Sequence, residues 1–104
     1  MLFHVKMTVN IPLDLDKDYV NELKATEKAL SQKLQQEGKW THIWRIVGKY
    51  ENISIFNVNS PTEMHDILMS LPLYPYMAIE ITSLCQHYSS VKDEENPGQP
   101  LKNI

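Results

Sequence analysis

Apolar and polar residues alternate from the start of the chain. Phe3, Val5, Met7 and Val9 fall on one side of an extended segment, and His4, Lys6, Thr8 and Asn10 fall on the other. A period of two predicts a strand over residues 2–10 with one buried face. IPLDLDKD reads as a loop: Pro12 cannot donate to a ladder, and Asp14 or Asp16 can cap a helix. The period then lengthens. Val20, Leu23, Leu30 and Leu34 predict an amphipathic helix from Lys17 to Glu37, stopped by Gly38. KWTHIWRIVG and YENISIFNVN predict two strands joined at Gly48-Lys49 as an antiparallel hairpin. Ser60 and Pro61 open a second helix, with Met64, Ile67, Leu68 and Leu71 as its apolar face. Pro72 and Pro75 break that helix, and AIEITSLC is the last strand.

The order β-α-β-β-α-β predicts an α+β, ferredoxin-like fold: an antiparallel four-stranded sheet with both helices on one face. The other face is left open. It carries large residues from one register or the other of Trp40, Trp44 and Ile46, and a face of that kind predicts at least a dimer. From Lys92 onward, KDEENPGQPLKNI is polar and has little to bury. The domain is therefore expected over residues 1–91 and a mobile tail over 92–104.

Composition narrows the function classes. The chain has 104 residues, enough for one core, and a net charge of −3 that argues against nucleic acid as a partner. No apolar run is long enough to span a bilayer, so no membrane partner is expected. MLFHVKMTVN lacks a cationic segment followed by an apolar one, so no signal peptide is expected. Cys85 is the single cysteine, which rules out an intrachain disulfide and a cysteine-based zinc site. Together these features predict a cytoplasmic protein.

One residue breaks the apolar stripe of the first helix. At about 100° per residue, Glu27 falls inside the arc that Val20, Leu23, Leu30 and Leu34 define. Either a cation pairs with it, or the helix end lets it reach solvent, or it serves as a general base whose basicity burial raises. In YENISIF, Tyr50, Asn52 and Ser54 alternate onto one strand face, as pocket lining or as a solvated surface. His42 and Arg45 point to opposite faces of an ideal strand, so at most one reaches a given pocket unless a bulge intervenes. Arg45 suits a bidentate carboxylate clamp and equally a surface ion pair. His4, His42, His65 and His87 lack metal-ligand spacing, the three glycines form no phosphate loop, and no serine has a nucleophile-elbow context. No metal or cofactor is expected.

The blocks MLFHVKM, LKATEKAL, GKWTHIWRIVGKYENISIF and LPLYPYMAIEITSLC resemble the muconolactone Δ-isomerase family, in the family's order and from Met1 to about Val91. The resemblance implies a ferredoxin-like fold of the dimeric α+β barrel type, dimers formed through the sheet, decamers, and cofactor-free action in the 3-oxoadipate branch of aromatic catabolism. It implies a proton shift from C4 to C2 of muconolactone, giving 3-oxoadipate enol-lactone, with Glu27 as the base. It further implies that Tyr50 and Asn52 hydrogen-bond the lactone, while His42 and Arg45 bind the substrate carboxylate. The chain departs from the family in places. Gly48-Lys49-Tyr50-Glu51-Asn52 stands for GHYAN, Thr41 and Gln86 replace arginines, and Lys49 is the nearby cation that could stand in. These departures keep two alternatives open: chloromuconolactone dehalogenase, and a non-catalytic ferredoxin-like dimeric binding module.

Overall fold

The computed structural model describes residues 1–96. Its elements are β1 (Leu2–Val9), α1 (Lys17–Gln36), β2 (Trp40–Arg45), β3 (Glu51–Asn57), α2 (Pro61–Ser70), a 3₁₀ turn (Tyr74–Tyr76) and β4 (Met77–Leu84). The sheet order is β2-β3-β1-β4, and every neighbouring pair is antiparallel. This is the expected split βαβ topology, an α+β fold in which each helix crosses between two strands that flank a third.

Local chemistry sets the boundaries. Asp16, rather than Asp14, caps α1 by accepting from the Tyr19 N–H at 2.9 Å. Ser60 Oγ accepts from the Glu63 N–H at 3.0 Å, while Glu63 Oε1 accepts from the Asn59 N–H at 2.9 Å. Side chain and backbone thus satisfy each other at the start of α2, close to a capping box. The expected tight hairpin is longer than Gly48-Lys49. Strand pairing stops at Arg45 and resumes at Glu51, and the turn between them closes through Lys49 N–H to Ile46 O at 3.1 Å. Gly48 has φ +80°, a left-handed conformation that a glycine adopts without steric cost.

The core lies between the sheet and the helices. Phe3, Val5 and Met7 from β1 meet Phe56 from β3, Leu34 from α1, and Met64, Ile67, Leu68 and Leu71 around α2. The two tryptophans of β2 part company. The pairings Trp40↔Phe56 and His42↔Ile55 leave Thr41 as an extra residue, a bulge. Trp40 is 2% exposed and its ring centroid lies 4.7 Å from that of Phe56, whereas Trp44 is 57% exposed and stacks on His42 across the open face. The bulge therefore decides the register: Trp40, Ile43 and Arg45 face the helices, and His42 and Trp44 face away.

Of the expected tail, Lys92–Asn96 falls within the described residues. Glu95 pairs with the N-terminal ammonium at 3.2 Å, and Glu94 lies 3.7 Å from His42. Residues 97–104 lie outside the described part. No helix among the described residues is long and apolar enough to cross a membrane.

Candidate active site

A cavity of about 260 Å³ opens between α1, the hairpin end of the sheet and the segment after α2. Val9, Glu27, Ile43, Arg45, Tyr50, Glu51, Asn52 and Leu73 line it. Four of the residues singled out in the sequence meet here from three separate stretches of chain: Glu27, Arg45, Tyr50 and Asn52.

Glu27 enters from the middle of α1 on the half-buried side of the helix. Its Oε1 accepts from the Leu73 N–H at 2.9 Å. That donor is free because Pro72 ends α2, so Leu73 N–H has no place in a helical ladder. Among the described residues no cation lies within 4.0 Å of the carboxylate. Of the readings the sequence left open, the ion pair is therefore absent among the described residues, and the half-burial of Glu27 speaks against a fully solvated side chain. Burial pushes the Glu27 carboxyl above its ordinary value, and the Leu73 N–H pulls it only part of the way back.

Asn52 comes from the helix-facing side of β3, in register with Met7 and Arg45. Ser54, fully buried at 0% exposure, donates its hydroxyl to Asn52 Oδ1 at 2.8 Å. With the amide oxygen engaged, the Asn52 Nδ2 hydrogens remain as donors. Ser54 is thus a support for Asn52 rather than cavity lining.

Tyr50 sits just before β3, and its carbonyl accepts from the Val9 N–H at 3.0 Å. Tyr50 lines the cavity and is 51% exposed. Two cations stand over its ring: Arg45 Cζ at 5.3 Å and Lys24 Nζ at 5.6 Å from the ring centroid. Both distances fall within cation–π reach.

His42 does not join this group. The bulge lies before His42, so it leaves His42 and Arg45 on opposite faces, and only Arg45 reaches the cavity. The expectation that both bind one carboxylate in the same protomer's pocket is corrected on that ground. Sequence reasoning also missed two contributors. Leu73 acts through its backbone, for which Pro72 is the only signal, and Lys24 is placed by the course of a long side chain that spacing does not reveal. Among the described residues, no cluster of three or more metal-ligating side chains occurs.

The arrangement offers a half-buried base without a counter-ion among the described residues, a neutral donor on the facing strand and two cations over the Tyr50 ring. It suits proton abstraction from a small anionic molecule whose developing charge needs hydrogen-bond donors.

Known proteins resemble this chain over most of its length. The family model described as muconolactone delta-isomerase matches residues 1–90. Muconolactone Delta-isomerase 2 of Acinetobacter lwoffii is 58% identical, over 91% of this chain and 99% of its own. The muconolactone Delta-isomerase of Rhodococcus opacus is 60% identical, over 88% of this chain and 98% of its own. A crystal structure of muconolactone isomerase superposes with a TM-score of 0.85 at 56% identity, covering 89% of this chain and 97% of that one.

Proposed function

The chain belongs to the muconolactone delta-isomerase family, and from that premise we propose that it moves one proton of muconolactone from C4 to C2, with Glu27 as the carrier. The single observation that carries this reading is the state of Glu27: half-buried in a cavity, unpaired with any described cation, and raised in basicity by burial.

The chemistry follows from the substrate. The C4 proton is vinylogous to the lactone carbonyl, so its removal gives a furan-like dienolate with charge spread over ring and carbonyl oxygen. The C4–H bond breaks, its proton passes to a Glu27 oxygen, and the electron pair enters the conjugated system. The same proton then leaves Glu27 for C2, giving 3-oxoadipate enol-lactone with no net change of charge or oxidation state. A carboxyl held above its ordinary value takes and returns a proton near neutral pH better than an unperturbed one. Asn52 Nδ2 is assigned to the oxygen on which charge develops, Tyr50 to the cavity lining, and Arg45 to the carboxymethyl arm.

We extend the proposal to assembly. The face that carries Trp44 and His42 is open in the single chain, and a second copy of the chain would cover it, as a dimer within a decamer. A cytoplasmic location accords with the lone cysteine.

Proton NMR of muconolactone in D₂O with the purified protein tests the reaction. Conversion to the enol-lactone is expected, and deuterium at C2 reports how far the cavity excludes solvent. Conversion of a chlorinated muconolactone with chloride release, and none of the plain lactone, would instead make the protein a dehalogenase. Inertness toward both would leave a binding module.

A further inference from the structure

Lys24 stands one helical turn before Glu27, a spacing at which opposite charges on a helix ordinarily meet. Arg45 lines the same cavity as Glu27 from the sheet side. Yet neither cation approaches the carboxylate within 4.0 Å, and among the described residues neither makes an ion pair at all. Both lie over one neutral ring instead, at 5.6 and 5.3 Å from its centroid.

We propose that Tyr50 is a positioning residue: its ring holds the Lys24 ammonium and the Arg45 guanidinium as a paired carboxylate clamp beside the cavity and keeps both off Glu27. The physical conflict it resolves is specific to this reaction type. An anionic substrate needs cations near the base, but a cation that pairs with the base lowers its affinity for a proton. An aromatic face attracts cations through its quadrupole without carrying charge, and it leaves their N–H donors free for a ligand. Lys24 supplies a point charge and Arg45 a planar fork, so together they can grip one carboxylate from two directions.

The groups around Glu27 are consistent with this division. Its own helix carries Lys24 and Lys28, and Lys28 is exposed. β2 contributes Arg45, the residue before β3 is Tyr50, β3 opens with Glu51, and the segment after α2 contributes the Leu73 N–H. Glu51 is engaged elsewhere, accepting from Thr8 Oγ1 at 3.0 Å with Lys6 Nζ at 4.0 Å. Tyr50 thus lines the cavity with Glu27, and Lys24 and Arg45 lie over its ring rather than against the carboxylate.

The clamp rests on the lactone reading of the site, whereas the positioning role does not, and the experiment separates them. The titration of the Glu27 carboxyl is followed by ¹³C NMR without ligand in wild type, Tyr50→Phe and Tyr50→Leu. Tyr50 is half exposed, so either replacement leaves the core untouched. Tyr50→Phe keeps the ring and is expected to titrate with wild type. Tyr50→Leu frees the cations to reach Glu27 and is expected to shift its midpoint to lower pH. Adding Lys24→Met and Arg45→Met to Tyr50→Leu is expected to move the midpoint back up. Identical titration of Tyr50→Phe and Tyr50→Leu overturns the positioning role. Lys24→Met alone is expected to raise KM for muconolactone roughly tenfold, with a smaller effect on kcat, as for the loss of one charged hydrogen bond. An unmoved KM overturns the clamp. Wild-type protein inert toward muconolactone overturns the lactone reading and the clamp with it, while the titration decides the role of Tyr50 by itself.

Discussion

The N–H of Leu73 donates to Glu27 Oε1 at 2.9 Å, joining the middle of α1 to the break that ends α2. A backbone donor orients a carboxylate without adding a formal charge, so it fixes the base while leaving most of its basicity in place. Burial raises the carboxyl and this bond only moderates the rise.

Glu27→Gln keeps the shape and can keep the bond, since the amide oxygen accepts from the same N–H. Turnover of muconolactone should fall by about 10²-fold or more, the scale of a lost acid–base group. Far-ultraviolet circular dichroism should be unchanged. Normal turnover by this variant would assign the proton transfer to another residue.

The direction of the Glu27 shift also sets two pH dependences. The acid limb of kcat/KM should lie above the pH at which an ordinary glutamate titrates, because the free enzyme's base must be ionised to act. Stability runs the other way. The folded state binds the Glu27 proton more tightly than the unfolded chain does. Its contribution is therefore fully present below the unfolded pKa and is lost as pH rises through the folded one. Relative to Glu27→Gln, wild type should lose melting temperature as pH rises through that interval. A difference in Tm between the two proteins that is flat with pH would contradict the burial-driven shift.

Much of this site was legible from residue pattern alone, and the parts that were not have identifiable causes. Glu27 announced itself by interrupting an apolar stripe, and alternation placed Asn52 and Ser54 on one face. The facing of β2 could not be read, because the bulge at Thr41 is a backbone event with no residue-type signature. That bulge sends Trp40 to the core and Trp44 outward, and it decides that Arg45 rather than His42 reaches the cavity. The hairpin length was misjudged for a related reason: Gly48 supplies the left-handed position of a longer connection, and glycine alone does not fix loop length. Leu73 acts through an N–H that every non-proline residue carries.

Ser54→Ala should expose the dependence of Asn52 on its support. The hydroxyl lost is fully buried, and Asn52 Oδ1 would be left without its donor, at a cost of about 1–3 kcal/mol. The amide would then be free to turn and present its oxygen to the cavity. Turnover should therefore drop by more than the loss of stability explains, at a temperature where the variant is fully folded. Chemical denaturation and initial rates measured on the same preparation separate the two effects.

The two tryptophans of β2 should respond in opposite ways. Trp40→Ala empties a packed position against Phe56 and should cost about 3–5 kcal/mol of stability. Trp44→Glu removes no core contact in the single chain, because the ring lies on the open face with His42. It instead places a charge where a second copy would bury it, and an unpaired buried charge is strongly unfavourable. Light scattering of wild type should report an assembly larger than a dimer, and Trp44→Glu should reduce it while the circular dichroism stays native. If Trp44→Glu assembles like wild type, the copies associate through some other surface, and the open face must be covered in another way.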